Sequence, residues 1–319
     1  MILPSFRKTA SDETSAVTET ENVSTNINQV VATRQTTTAE TPTSQSRTTT
    51  AVFYNQNSDV SAPYAGLYNL STGEVLYQKS TDEKIYPASL TKILTAVTAL
   101  AYMDNDTVIT VGTELELLPK HSSLCLIKKG HRLTLFDLLT GMLVSSGNDA
   151  AYTVAVNVAR NVMNGGYLND KEALSYFSDL MNSMAKAIGC TDSHFTTPDG
   201  FDDEGQYTTA EDLMLICKYA LEFDEIREIT SIKSKKVYFK SGENVTWTNS
   251  NQLLQKNSTY YSPEVTGMKT GTTPLAGKCL IATAEINQHT YIAIVAGCKT
   301  DDERYKSAKK LLSFVQAIQ

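Results

Sequence analysis

A serine and a lysine three positions apart, Ser89 and Lys92, have the spacing that places two side chains on one face of a helix. A serine hydroxyl is a weak nucleophile until a neighbouring base removes its proton. A lysine can act as that base when burial or a second cation lowers its pKa. Apolar residues follow Ser89 at helical spacing and predict a largely buried helix that begins at this serine. The pair therefore predicts a serine nucleophile with a lysine base.

A second motif, Ser146-Gly147-Asn148, lies where the pattern predicts a tight turn between two helices. As part of a site, Ser146 would relay a proton to a leaving amine. Asn148 would orient Lys92 and bind a peptide carbonyl of the substrate. Ser, Gly and Asn are also ordinary turn residues, so the motif gains its functional meaning only in combination with Ser89.

A third motif, Lys269-Thr270-Gly271-Thr272, continues a strand-like segment. Gly271 has no side chain, so the backbone of a substrate can lie close against this strand. The lysine of the motif supplies a second cation near the first, and its two threonines offer hydroxyl groups to a carboxylate. Together the three motifs predict acyl transfer through an ester of Ser89.

In this order, the three motifs are similar to those of the penicillin-recognising serine acyl enzymes. The chain resembles a D-alanyl-D-alanine carboxypeptidase of the low-molecular-weight penicillin-binding type, in serine peptidase family S11. Residues 191–213 and 299–304 also resemble segments of that family, and the first of these has a structural role there. The resemblance covers about residues 62 to 317, which is nearly all of the chain that is expected to fold.

The resemblance implies a reaction and a role for each residue. Ser89 would attack the carbonyl of the penultimate D-Ala of a peptidoglycan stem peptide, and Lys92 would take its proton. The terminal D-Ala would leave with a proton relayed through Ser146, and β-lactam antibiotics would acylate the same serine. The backbone N–H groups of Ser89 and Thr272 would form the oxyanion hole. A guanidinium suits a carboxylate, so Arg304 would help to bind the substrate's terminus. The substrate-binding residues expected are Asn148, Lys269, Thr270, Gly271, Thr272 and Arg304.

Two other functions stay open at this point. A class A-like β-lactamase shares the three motifs but also needs a glutamate that activates water, in a Glu-x-x-Leu-Asn segment. Ahead of Leu168-Asn169 that position is Gly165, which favours slow deacylation of β-lactams. A non-catalytic penicillin-binding or sensor domain would keep the fold without the chemistry, although intact Ser89 and Lys92 favour an enzyme.

Composition excludes other classes of function. The net charge of -7 argues against nucleic acid as a partner, because phosphate binding needs a basic surface. The 4 histidines are scattered, and no two of the 5 cysteines have Cys-x-x-Cys spacing. We therefore expect no metal site and no cofactor. Several cysteines lie in apolar runs, which predicts buried free thiols.

The order of the elements predicts a mixed α/β (α+β) fold. Strand-like segments occur near both ends, and helical patterns lie between them and at the C-terminal end. This order predicts one antiparallel sheet from both termini, with a helical lobe inserted at about residues 105–225. It matches the serine β-lactamase/DD-peptidase fold, in which the active site lies between sheet and lobe. Residues 61–319 are the expected catalytic domain, and residues 1–60, rich in Thr and Ser, a disordered linker that is either a tether or a simple tail.

The resemblance also implies that the protein works in the cell envelope or outside the cell. Residues 1–4 do not begin a signal peptide, and no stretch reaches the roughly 18 consecutive apolar residues of a membrane span. We therefore expect that a signal peptide or an N-terminal membrane anchor is missing from this sequence.

Overall fold

A computed structural model describes residues 60–164 and 166–317. Its strands and helices follow the predicted order of hairpin, helices, strands and final helix. The strands are β1 (Tyr64–Asn69), β2 (Glu74–Lys79), β3 (Val108–Thr110), β4 (Arg132–Thr134), β5 (Ser234–Tyr238), β6 (Asn244–Thr248), β7 (Val265–Thr273), β8 (Gly277–Ile286) and β9 (His289–Cys298). The α-helices are α1 (Thr91–Tyr102), α2 (Leu135–Val144), α3 (Asn148–Val162), α4 (Asp170–Ile188), α5 (Ala210–Ala220), α6 (Asp224–Ser231) and α7 (Asp301–Ala317).

A five-stranded antiparallel sheet in the order β2-β1-β9-β8-β7 organises the molecule. The first two strands come from the N-terminal side of the helices, and the other three come from the C-terminal side. They join where β1 pairs with β9, with Leu67 opposite Ala293. This confirms the predicted sheet built from both ends of the chain. Strand β7 lies at an edge, so its outer backbone groups are not used by a neighbouring strand.

Helices cover both faces of the sheet. On one face, α7 buries Tyr305, Leu311 and Leu312 against sheet residues that include Leu67 and Val295. On the other face, α5 packs on β1 and β9, and α6 packs on β7. Because β8 and β9 are covered on both sides, residues 279–284 and 291–296 are almost all apolar instead of alternating with polar residues.

The helical lobe extends further than the sequence pattern indicates. It ends with α6 at Ser231, beyond the predicted end near residue 225. This helix has 8 residues, and its buried side chains Ile226, Ile229 and Thr230 give too short an apolar repeat to predict a helix. The lobe also contains the short β3–β4 pair, which leads directly into α2. Of these two additions, α6 packs directly on β7.

At the start of α5 the sequence predicts an N-cap at Thr209 with Asp212 at the capping-box position, and this cap forms only in part. The Thr209 hydroxyl accepts from Asp212 N at 3.1 Å, as expected for an N-cap. The Asp212 carboxylate does not close the expected capping box. It accepts instead from Thr191 N, Asp192 N and Ser193 Oγ, at 3.3, 2.9 and 2.6 Å. Asp212 therefore fixes the turn after α4, and this turn leads into a segment that reaches the candidate site.

The predicted linker lies outside the described residues except for its last residue. Val60 is buried in the core, and its carbonyl accepts from Lys79 Nζ at 2.9 Å, so it belongs to the folded part. All five cysteines are buried free thiols, as expected. Across residues 60–164 and 166–317, no helix combines the length and apolar character that crossing a bilayer requires.

Candidate active site

A buried lysine forms the centre of the site. Lys92 lies in the first turn of α1 and has no exposed surface. Its Nζ donates to Ser89 Oγ at 2.7 Å, to Asn148 Oδ1 at 2.8 Å and to the Asp199 carbonyl at 2.9 Å. Three separate parts of the chain thus meet at one ammonium group. The serine itself is partly exposed, so a substrate can reach it.

The surroundings of Lys92 lower its pKa, so it binds a proton less tightly than an ordinary lysine does. Burial lowers its pKa from 10.5 to about 8, and the nearby Asp199, Asp149 and Cys125 oppose this by favouring the charged form. A lysine with a pKa of about 8 has a useful neutral fraction near physiological pH. It can therefore accept the proton of a serine hydroxyl that lies within hydrogen-bond distance.

The turn that holds Ser89 is tightly fixed. Ser89 is the middle residue of the 3-10 turn Ala88–Leu90, directly before α1, and Ala88 has a positive φ of 48°. Such a backbone conformation is unusual for alanine and persists when its surroundings enforce it. Here a glycine supplies the room, because a Cβ at Gly200 would lie 1.8 Å from the Ala88 carbonyl oxygen.

The Ser146-Gly147-Asn148 turn connects α2 to α3, as predicted. Ser146 has a φ of 63° and is partly exposed, and Asn148 begins α3 with its side chain buried against Lys92. The following residue, Asp149, anchors the turn: its carboxylate accepts from the backbone N–H groups of Cys125 and Ile127 at 2.9 and 3.1 Å. The structure therefore places Ser146 two residues before Asn148, whose side chain accepts a hydrogen bond from Lys92.

Strand β7 brings the third motif beside the serine. A Cβ at Gly271 would lie 2.9 Å from Ala88 Cβ and 3.1 Å from Ser89 N, so only glycine allows this approach. Lys269 is buried, donates to the Thr270 carbonyl at 2.9 Å, and has a pKa well below 10.5 because of burial and the positive charges of Lys92 and Arg304. The side chain of Thr272 is exposed on this edge strand.

Arg304 lies behind β7 and is almost fully buried. One guanidinium nitrogen donates to the Gly271 carbonyl at 3.2 Å and to Thr272 Oγ1 at 3.4 Å, and the other donates to Asp301 at 2.6 Å. The guanidinium is thus joined by a hydrogen bond to the hydroxyl of Thr272, which lies on the exposed edge. The structure places this arginine next to the third motif, and its role in binding the terminus of a substrate stays a prediction.

Sequence reasoning missed Asp199, whose carbonyl contacts Lys92, and Ser250. The hydroxyl of Ser250 lies 2.6 Å from Thr270 Oγ1, and its N–H donates to the Val144 carbonyl at 3.0 Å, at the end of α2. Ser250 thus connects the β7 motif to the α2–α3 turn. It lies in a loop without local periodicity, so the sequence carries no signal for this role.

The arrangement resembles that of a known family in sequence as well as in geometry. Residues 51–300 match the family model for D-alanyl-D-alanine carboxypeptidase, peptidase S11. The chain belongs to this family. The D-alanyl-D-alanine carboxypeptidase DacC of Escherichia coli K12 is 34% identical over 78% of the chain, and DacF of Bacillus subtilis 168 is 29% identical over 79%. The chain spans 59% and 61% of the lengths of these two relatives.

Solved structures show the same S11-type fold. The crystal structure of the Streptomyces K15 DD-transpeptidase has a TM-score of 0.74 and 27% identity, and covers 82% of this chain and 100% of that one. Penicillin-binding protein D2 of Listeria monocytogenes, solved in the ampicillin-bound form, has a TM-score of 0.65 and 27% identity, and covers 81% and 98% of the two chains. The fold is therefore that of the penicillin-binding DD-peptidases.

Proposed function

We propose that the protein is a serine-type D-Ala-D-Ala carboxypeptidase that removes the terminal D-Ala from peptidoglycan stem peptides. The observation that carries this proposal is the contact between Ser89 Oγ and the fully buried Lys92 Nζ at 2.7 Å. Family membership indicates which acyl group Ser89 would receive, because the matched relatives are D-alanyl-D-alanine carboxypeptidases.

In the acylation step, neutral Lys92 accepts the hydroxyl proton while Ser89 Oγ attacks the carbonyl carbon of the penultimate D-Ala. The N–H groups of Ser89 and Thr272 would stabilise the oxyanion, an interaction whose loss typically lowers the rate about 100-fold or more. The C–N bond then breaks, and D-Ala leaves as an amine after it receives a proton through Ser146. An ester of Ser89 remains, and water hydrolyses it to release the shortened stem.

The substrate would lie along the free edge of β7. An edge strand can pair with an extended peptide through its unused backbone groups. Gly271 keeps this approach open, and Thr270, Thr272 and the charges of Lys269 and Arg304 would attract the terminal carboxylate of the peptide. Asn148 would bind the peptide carbonyl on the other side of the cleft.

The same geometry predicts covalent inhibition by β-lactams. A penicillin places its strained amide carbonyl where the peptide carbonyl would lie, and it acylates Ser89. At the position of the deacylating glutamate of a class A β-lactamase the chain has Gly165, so this acyl-enzyme should be long-lived. This favours a penicillin-binding peptidase over a β-lactamase.

The substrate also determines where the protein would act. Peptidoglycan lies in the cell envelope, so we place residues 61–319 outside the cytoplasmic membrane as the catalytic domain, with residues 1–60 as a linker. An N-terminal membrane anchor would be one way to hold such a chain at the wall.

A labelling experiment tests the proposal. Wild-type protein, Ser89→Ala and the matched control Ser231→Ala are incubated with a fluorescent penicillin, and the label is followed on a denaturing gel over time. Ser231 is an exposed helix residue whose hydroxyl contacts only its own helix, at the Glu228 carbonyl. We expect persistent label on the wild type and on the control and none on Ser89→Ala.

Release of D-Ala from a stem pentapeptide completes the test. Release by the wild type and not by Ser89→Ala supports the carboxypeptidase. Label that disappears within seconds while the antibiotic is consumed would instead indicate a β-lactamase, and absence of label would indicate a non-catalytic domain. Because solved relatives include a DD-transpeptidase, the assay is repeated with an added amine acceptor, and transfer product would identify a second fate of the acyl-enzyme.

A further inference from the structure

The segment Pro198-Asp199-Gly200 is fixed across the catalytic face of α1. Thr95 Oγ1 donates to the Pro198 carbonyl at 2.6 Å, and Lys92 Nζ donates to the Asp199 carbonyl at 2.9 Å. Gly200, with a φ of 80°, lies against the carbonyl of Ala88. The sequence suggests only a structural role for this segment, but the structure brings the backbone carbonyl of Asp199 into contact with the base of the reaction.

The carboxylate of Asp199 is buried with one oxygen unused. The residue is 1% exposed, and its Oδ1 accepts from Phe201 N at 3.1 Å. Its Oδ2 is buried and has no hydrogen-bond partner within the described part of the chain. An ionised carboxylate in this position needs a nearby positive charge. Lys92 supplies this charge: its Nζ lies 2.9 Å from the carbonyl oxygen of the same residue, and the carboxylate favours its charged form.

The other titratable groups around Lys92 differ from Asp199 in their charge or in their hydrogen bonding. On α3, the oxygens of Asp149 are held by backbone N–H groups, including those of Cys125 and Ile127. Cys125 is a buried thiol whose pKa is raised by burial, so it remains neutral. On β7, Lys269 has the same sign as Lys92 and repels it. Asp199 is therefore the carboxylate near Lys92 whose charge is least satisfied by hydrogen bonds.

We propose that Asp199 is a positioning residue for acylation: its buried carboxylate is the counter-charge that stabilises the Lys92 ammonium. The proposal rests on the proposed function, in which Lys92 is the base. It has two consequences that arise from one interaction. In the resting enzyme the carboxylate keeps the proton on Lys92 up to a higher pH. During attack by Ser89 it stabilises the ammonium that forms, so it also makes Lys92 a stronger base.

The test is the pH dependence of the acylation rate by a fluorescent penicillin in Asp199→Asn. Asparagine keeps the oxygen that accepts from Phe201 N, removes the charge and replaces the other oxygen by a neutral amide nitrogen of similar size. For the wild type we expect an acid limb with a midpoint near the Lys92 pKa of about 8. In Asp199→Asn the midpoint should move about one unit to lower pH, the size of effect of one nearby opposite charge. The plateau at high pH should fall about 3- to 10-fold, because the amine is a weaker base.

Two further variants make the outcome decisive. Asp199→Ser also removes the charge and can keep the local hydrogen bond, so it replaces Asp199→Asn if the latter does not fold. The matched control is Asp203→Asn, which removes an exposed charge of the same loop whose Oδ1 accepts from Gly205 N. Its midpoint should equal that of the wild type.

The failures of the two proposals are distinguishable. If wild-type protein is not acylated at Ser89, the proposed function is wrong. If it is acylated, and the midpoint stays at the wild-type value in both Asp199 variants, the counter-charge proposal is overturned. A plateau that falls without a shift of the midpoint would assign Asp199 a merely structural role.

Discussion

At the scale of single residues, two buried lysines dominate the site. Lys92 and Lys269 are both at most 1% exposed, and the charge of Lys92 lowers the tendency of Lys269 to carry one. A buried ammonium loses most of its hydration, and hydrogen bonds to neutral oxygens replace only part of it. Such an arrangement reduces the stability of the folded state, and a protein retains it where the chemistry requires it.

Replacement of Lys269 by methionine should change stability and activity in opposite directions. Methionine has a similar shape without the charge, so Lys269→Met should raise the melting temperature by about 2–4 °C, the effect of about 1 kcal/mol in a domain of this size. The acylation rate by penicillin should fall about 100-fold, because the positive charge beside Ser89 is lost. Thermal unfolding and fluorescent-penicillin kinetics measure the two effects.

An exposed lysine provides the comparison for this variant. Lys218 lies on the exposed face of α5, and Lys218→Met should leave both the melting temperature and the acylation rate at wild-type values. A Lys269→Met protein that is less stable than the wild type, or one that is acylated at the wild-type rate, would contradict this account of the buried lysine.

At the scale of elements, the site depends on the close packing of β7 against the 3-10 turn Ala88–Leu90. This contact holds the edge of the sheet beside the nucleophile, and it is possible because Gly271 faces the turn. It also positions the two N–H groups that would bind an oxyanion, since one belongs to the turn and the other to the strand. Strand and turn therefore act as one unit.

A single methyl group in this contact should separate the two elements. In Gly271→Ala the new Cβ would lie 2.9 Å from Ala88 Cβ, so strand or turn must move by a few tenths of an ångström. Overpacking of this kind destabilises by about 1–3 kcal/mol. We expect acylation to slow by about 100-fold, because small misplacements near reacting groups have effects of that size.

Gly205→Ala is the control for an added methyl group elsewhere. Its Cβ would lie 3.1 Å from Thr196 Cγ2, away from the serine turn. It should lower stability slightly and leave the acylation rate unchanged. Equal rates for Gly271→Ala and the wild type would show that the approach of β7 to the turn is not needed for the chemistry.

At the scale of the whole molecule, the core holds five thiols that stay protonated. Burial raises the pKa of Cys190 and Cys298 to about 12 and that of Cys279 to about 11, and it also raises the pKa of Cys125 and Cys217. Thiols in the unfolded chain ionise near pH 8.5. Above that pH the unfolded state binds fewer protons than the folded state, so stability falls as pH rises.

The two buried lysines act in the opposite direction, and the thiols should prevail because there are more of them. Lys92 and Lys269 have lowered pKa values, so the unfolded state binds more protons above about pH 8 and their contribution to stability rises with pH. We expect the free energy of unfolding to fall by at least about 2 kcal/mol between pH 8.5 and pH 10.5. Urea denaturation under reducing conditions measures it.

A cysteine variant links this fall to the thiols. Cys217 is fully buried in α5, and Cys217→Ala should show a smaller decrease over the same pH range, although the smaller side chain lowers stability at every pH. A free energy of unfolding that rises from pH 8.5 to pH 10.5 would show that the lysines outweigh the thiols.

Local sequence patterns were sufficient to predict the proposed chemistry and most of the elements. Ser89 and Lys92 are three residues apart on one helix, so local geometry alone makes them neighbours. The helices and the central strands follow from the period of apolar residues, and family membership follows from the order of the motifs. Where the local signal was short, as in α6, the pattern was insufficient, because packing on β7 and not periodicity stabilises that helix.

The groups that meet at the lysine from distant parts of the chain are brought together by tertiary packing. Asn148 and the Asp199 carbonyl lie 56 and 107 positions from Lys92, and Ser250 lies 20 positions from Thr270. Such contacts depend on how the lobe packs on the sheet, and no local pattern records that packing. The unused carboxylate oxygen of Asp199 has the same origin: the chain is fixed on both sides of this residue, and within the described residues the fold leaves that oxygen buried without a hydrogen-bond partner.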